Sequence, residues 1–332
     1  MQTENLYIPI QLPNPPHYCH SLETKTIQSL YFFPSIYSGE FKCPAYISQW
    51  NRMILCHYGS NKISFWNTQN LDLIDSRYTR EKIHLAAAFS NKLKFLYTGG
   101  LGGQVSALKV EQNCFGSYQN DIISPKIGDE VTNIVCLDEQ NLIACTSGDK
   151  NICLLDSRTL KIVDLLTLNE GRIVSEIAYI PKSGVLAVVC RGRKDEINFF
   201  CLKSRKCILK IFICKDIRTS IFKFCESKNM LITQCKMNMI KLWSLSSGAL
   251  IKANKTIHLD EKPNSILILE DDDCFLVSFQ SEKLQLYRLS TGILFQSFEV
   301  PFVVGGVFNL SNEKKILIVN STLTQFAVIR FH

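Results

Sequence analysis

The chain has no C-x-x-C pair, no apolar run longer than Gly184–Cys190, and no basic-then-apolar leader in its opening MQTENLYIPIQLPNPPHYCH. Each absence closes a class. Without C-x-x-C spacing, neither a zinc ribbon nor a thioredoxin-type redox pair is supported. The longest apolar run falls far short of the roughly 20 residues that cross a bilayer as a helix. The missing leader makes an intracellular, cytoplasmic protein the expectation, with nuclear, ciliary or cytoskeletal settings as alternatives. The sequons at Asn254, Asn309 and Asn320 then carry little weight, and the IRFH terminus holds no lipidation signal. No G-x-S-x-G elbow, H-E-x-x-H helix, Walker loop or EF-hand loop is present, and no long insertion offers a lid. The expectation is therefore a non-enzyme with no cofactor and no metal. His17, Cys19 and His20 supply three donors, but no second cluster near them completes a ligand set.

A period is what the chain does have. ISFW (63–66), VSAL (105–108), ICLL (152–155), INFF (197–200), IKLW (240–243), LQLY (284–287) and FAVI (326–329) end in Trp66, Leu108, Leu155, Phe200, Trp243, Tyr287 and Ile329. The gaps between those residues are 42, 47, 45, 43, 44 and 42. A spacing near 44 without helical periodicity is the mark of a four-stranded propeller blade. The repeats parse alike. VTNIVCL (131–137) alternates, LIACTS (142–147) is a near-continuous central strand, ICLLD follows a tight turn, and SRTLKIVDLL supplies an outer strand. IFKFCE, MLITQC, IKLWSL and ALIKA repeat the scheme, as do SILILE, CFLVSF, LQLYRL and ILFQSF, with Gly248 and Gly292 in the turns. Of 14 cysteines, Cys43, Cys56, Cys136, Cys145, Cys153, Cys190, Cys201, Cys225 and Cys235 fall in predicted strands as small hydrophobes.

The fold expectation is all-β: a single seven-bladed β-propeller over residues 25–332, preceded by a tail of residues 1–24. The seventh repeat runs out of chain after FAVIRFH. TIQSLYFF (26–33) is therefore expected to complete it and close the ring, removing two sheet edges. The proline-bearing PIQLPNPPH (9–17) is read as tail laid over that ring.

By period and strand pattern the chain resembles the WD-repeat β-propeller family. The resemblance implies an Asp six residues ahead of each periodic residue. Asp149 fits, while Ser60, Gly102, Lys194, Met237 and Ser281 fill other such slots. The signature Trp survives as Trp66 and Trp243, the following Asp as Asp156, and the Gly-His dipeptide is missing. Asp149, Asp156, Trp66 and Trp243 are the structural residues the resemblance implies, with apolar packing replacing most of the family's polar network.

GGLGGQV (99–105) lacks the third glycine of a dinucleotide fingerprint, because position 105 is Val105, and a strand follows it. It reads as a hairpin turn. The acidic run Glu270–Asp273 reads as a solvated turn. Charge segregation is the stronger signal. Between Lys182 and Lys241 lie 14 Lys or Arg against 4 Asp or Glu, in a chain whose total is +7. Blade topology assigns Arg191, Arg193, Lys194, Lys215, Arg218 and Lys236 to one face, and Lys203, Arg205 and Lys206 to the opposite turns.

The functional expectation is a non-catalytic protein–protein interaction scaffold, one subunit of a larger complex. Its basic face would take an acidic or phosphorylated protein segment. The alternative is a nucleic-acid-associated propeller of a ribonucleoprotein or chromatin assembly. Scarce aromatics beside the arginines count against base stacking.

Overall fold

The structure is a computed structural model and describes residues 27–331. Residues 35–39, 48–49, 59–60, 68–72, 80–83, 113, 115–120, 148–150, 169–172, 192–193, 216–221, 226, 237, 245–251, 270–271, 301, 311–314 and 321–324 lie outside the description. So do the head with PIQLPNPPH and the His17–Cys19–His20 cluster.

The described elements are strands, apart from two single 3-10 turns. After β1 (Ile27–Pro34) come β2 (Glu40–Ile47), β3 (Arg52–Tyr58), β4 (Lys62–Asn67) and β5 (Leu73–Tyr78). Then follow β6 (His84–Ser90), β7 (Phe95–Gly100), β8 (Val105–Lys109) and the two-residue β9 (Ile122–Ile123). Strands β2 to β9 share one eight-stranded sheet. The next sheet holds β10 (Asn133–Leu137), β11 (Leu142–Thr146), β12 (Asn151–Asp156) and β13 (Ile162–Thr167). It is followed by β14 (Ile173–Ile180), β15 (Val185–Arg191), β16 (Lys194–Cys201) and β17 (Lys206–Lys215). Another comprises β18 (Phe222–Cys225), β19 (Met230–Lys236), β20 (Met239–Ser244) and β21 (Lys252–His258). Then come β22 (Pro263–Leu269), β23 (Cys274–Phe279), β24 (Lys283–Arg288) and β25 (Leu294–Glu299). The last sheet has the order β1, β28 (Gln325–Phe331), β27 (Lys315–Asn320), β26 (Val304–Leu310).

Counted as hydrogen-bonded sheets, the propeller has six blades and not the seven expected. The reason is local. The repeats at 40–78 and 84–123 are joined by one parallel bridge, Tyr58 opposite His84, which merges them into the eight-stranded sheet. Their faces also pack together, with Ile54, Ile63 and Phe65 against Leu96 and Leu108. Closure of a seven-bladed ring by the N-terminal strand is not supported. β1 pairs antiparallel with β28, and that pairing lies within the last sheet. A second correction concerns the outer strand expected at ALIKA (249–253). It is β21, Lys252–His258, which turns Ile257 into the core beside Leu242.

Burial explains the strand patterns. The second strands β11, β15 and β23 sit between neighbours on both faces and read as continuous apolar runs, LIACT, VLAVVC and CFLVSF. Outer strands such as β13 are exposed at most positions and bury one residue, Leu166, against the next sheet. Each core cluster spans two neighbouring units. Phe199 and Ile211 of one sheet meet Leu231 and Trp243 of the next. The nine strand cysteines all lie in strands, and Cys56, Cys145, Cys153, Cys190 and Cys225 are buried.

The periodic residue marks a recurring irregularity. Opposite Trp66, Leu155, Phe200, Trp243 and Tyr287 the outer strand carries one extra residue, respectively Ile74, Val163, Ile208, Asn254 and Phe295. A β-bulge leaves its extra residue unpaired and sharpens the local twist, which suits a strand bending round the rim. Val163, Ile208 and Phe295 are exposed although large and apolar, as are Ile162, Leu165 and Leu294 on the same outer strands.

Candidate interaction face

Register fixes where the basic residues stand. Arg191 ends β15 opposite Ile173, the first residue of β14. Lys194 begins β16 and is paired with Lys215, the last residue of β17. All three therefore occupy one end of the same sheet. Lys236 ends β19, which holds the same place in the next sheet as β15 does in this one, so it lies on the same face. Arg193 and Arg218 fall outside the described residues. Below Lys194 and Lys215, Glu196 is buried, 3% exposed, and accepts a hydrogen bond from Asn198 Nδ2 at 3.1 Å.

The opposite face is used to join neighbouring units. Ser90 donates to Asp138 Oδ1 at 2.6 Å, Lys92 Nζ to Asn141 Oδ1 at 2.8 Å, and Tyr179 to Glu139 Oε2 at 3.0 Å. Asp273, the last of the acidic run, accepts from Ser290 at 2.6 Å and lies 3.6 Å from Lys228 Nζ. That carboxylate is a clamp between sheets, not merely part of a solvated turn. The turns carrying Arg205 and Asp156 lie on this side too, with Arg205 Nε 3.3 Å from Asp164.

Three of the four residues singled out as structural are described. Asp156 Oδ1 accepts from the Arg158 amide at 3.0 Å and from the Thr159 amide and hydroxyl at 2.7 and 2.8 Å. The Thr159 amide is the largest cause holding its carboxyl below the usual range. Trp66 Nε1 donates to Ser64 Oγ at 2.7 Å, and Trp243 Nε1 to Thr233 Oγ1 at 2.8 Å. Tyr287 takes the same course with Gln285 Oε1 at 2.7 Å, and burial pushes its hydroxyl up to about 12. At each of these three positions the periodic side chain keeps a short hydrogen bond. Asp149 lies outside the described residues.

The turn at GGLGGQV is a hairpin between β7 and β8. Gly103 has φ +70°, and a Cβ there would lie 2.0 Å from the Gly128 carbonyl oxygen. Among the described residues no group of three or more His, Cys, Asp or Glu side chains is arranged to hold a metal ion. No described helix is long and apolar enough to cross a membrane.

Sequence reading missed a buried ion pair. Arg77 Nη2 on β5 lies 2.8 and 2.6 Å from the two oxygens of Asp121, just before β9. The partners are 44 residues apart and lie at different positions of their repeats, Arg77 near the end of β5 and Asp121 before the start of β9. It also missed His84, whose Nε2 lies 2.8 Å from Thr79 Oγ1 where the first two repeats join.

No protein-family model matches the chain, and no curated protein matches it. Among solved structures, the crystal structure of the β-propeller domain of Cps50 (Swd1) from Myceliophteria thermophila is similar, with a TM-score of 0.74 and 12% identical residues. The match covers 92% of this chain and 99% of that one. At that identity the likeness shows the architecture, and this chain has the β-propeller fold that its WD-like period implies.

Proposed function

We propose that the protein is a non-catalytic interaction scaffold that organises a multiprotein complex. The favoured contact is the face bearing Arg191, Arg193, Lys194, Lys215, Arg218 and Lys236, and the partner is an acidic or phosphorylated protein segment. One observation carries this reading. Arg191, Lys194 and Lys215 come together at one end of a sheet, in a stretch that concentrates the basic charge of the chain. A rigid sheet holds them in place, and guanidinium and ammonium groups bind carboxylate and phosphate through charge-assisted hydrogen bonds.

The alternative of a nucleic-acid-associated propeller rests on the same charges. The two readings separate by salt. Titrating the protein against a doubly phosphorylated acidic peptide and against single-stranded and duplex nucleic acid, from 50 to 300 mM salt, distinguishes them. The scaffold reading expects tighter binding of the peptide and loss of at least tenfold in affinity on reversing Arg193, Lys194 and Arg218 together. Preferential nucleic-acid binding with a log–log salt slope near −0.9 per phosphate neutralised would establish the alternative. An unchanged peptide affinity in the reversed variant would remove the face.

A further inference from the structure

We propose that β17, the outer strand beside that face, is a docking edge for an extended segment of a partner protein in which carboxylates alternate with large apolar side chains. The inference rests on the interaction reading above but uses a different surface, the rim. β17 is the longest of the described strands, 10 residues, KCILKIFICK, and among the described strands it ends its sheet, pairing with β16 alone. Lys206, Cys207, Ile208, Lys210 and Phe212 are exposed along it, and beyond the bulge at Ile208 the register puts Lys210 and Phe212 on one face. Phe212 is 62% exposed and Ile208 59%, although both are apolar.

Other outer strands do not share this pattern. β5 and β13 each carry an aspartate, and β25 carries a glutamate. β21 has lysines, but its one large apolar side chain, Ile257, is buried. β17 has three lysines and no acidic residue, and among the described residues neither Lys206 nor Lys210 is in an ion pair.

Bulges and lysines are devices that keep an edge from pairing indiscriminately. β17 has both, with bulges at Ile208 and between the partners of Asp195 and Glu196. They select the occupant. A second copy of β17 would set lysine against lysine, which cross-strand repulsion disfavours. An acidic strand removes that penalty and places its apolar residues beside Ile208 and Phe212. An extended segment alongside has the same rise, about 3.3 Å per residue, so beyond the bulge at Ile208 its alternate side chains stay in step with Lys210 and Phe212. Backbone pairing at an edge supplies affinity, and the alternating side chains supply specificity.

The test is fluorescence anisotropy of the full chain with a fluorescein-labelled peptide, Ser-Glu-Ser-Phe-Ser-Glu-Ser-Phe-Ser, at 50 mM salt. A same-composition peptide with adjacent glutamates and adjacent phenylalanines is the control. Saturable binding is expected, weakened at least tenfold by Lys206→Glu with Lys210→Glu, about fivefold by Phe212→Ser, and at least tenfold in the control peptide. Reversal of Arg191, Lys194 and Lys236 should alter it less than twofold. Hydrogen exchange on the unmutated protein gives a readout that does not depend on variants folding, and the peptide should slow exchange across 206–215. Absence of saturable binding, equal affinity for the control peptide, or no added protection of β17 overturns the proposal. Loss of binding in the Arg191, Lys194 and Lys236 variant alone overturns it as well, while leaving the basic face standing.

Discussion

Acidification should loosen the joint between the first two repeats, and His84 sets the size of the effect. This residue opens β6, faces Tyr58 across the bridge that merges the two repeats, and is fully buried. Thr79 Oγ1 lies 2.8 Å from its Nε2 and 3.3 Å from the Asn61 carbonyl, so the hydroxyl can donate to the carbonyl and accept from the ring. Burial lowers the imidazole pKa from 6.5 to about 4, against a smaller opposing effect of the Asn61 backbone. Because the folded pKa lies below the unfolded one, the unfolded chain takes up the proton first as pH falls. The contribution is intact above about pH 6.5 and is lost as pH drops toward 4. Linkage puts the loss at about 2 kcal/mol between pH 7 and 5, and about 3 kcal/mol by pH 4. The assay is urea denaturation of the protein and of His84→Gln at pH 7 and pH 5. The wild-type advantage should shrink by about 2 kcal/mol on going to pH 5. A constant gap between the two proteins, or an imidazole resonance that titrates near 6.5 in the folded protein, would refute the reasoning.

Trp243→Phe removes the bond to buried Thr233 and should cost about 1–3 kcal/mol, and a double-mutant cycle with Thr233→Val should return a coupling near 1 kcal/mol in chemical denaturation. Arg77→Ala strands Asp121 in a site where the two side chains are 8% and 4% exposed, so it should destabilise by roughly 3–5 kcal/mol. Arg77→Met with Asp121→Leu should recover most of that loss, as thermal melts would show. Cys201 is held below its ordinary range chiefly by the Ser204 hydroxyl, then by the Ser204 and Lys203 amides, whereas burial pushes Cys145 well up. Mass spectrometry after brief iodoacetamide treatment at pH 7.5 should find Cys201 alkylated and Cys145 untouched, since the thiolate is the reacting species.

The period was legible because it reflects one repeated position. Each described periodic residue lies at or near the end of the third strand of its repeat, and Trp66, Leu108, Leu155, Phe200, Trp243 and Tyr287 are all buried. Central strands were legible from their continuous apolar runs, and the turn at Gly103 from its glycines. Blade number failed at the Tyr58–His84 bridge, a single tertiary contact that leaves no mark on periodicity. The outer strand at ALIKA failed for a related reason. Bulges such as the one at Asn254 shift the rim register, and alternation alone does not locate them. At the candidate face, charge counting selected the residues, and register shows that Lys194 is opposed to Lys215. The Arg77–Asp121 pair, by contrast, joins segments that nothing in the local sequence connects.

Affinity capture of the tagged protein from native extract of its source cells, with and without nuclease, tests the scaffold claim most directly. The measurement should be paired with a variant reversing Arg193, Lys194 and Arg218. The account predicts a fixed set of proteins that survives nuclease and is depleted from the variant. Partners that vanish with nuclease, or a set recovered equally by the variant, would contradict it.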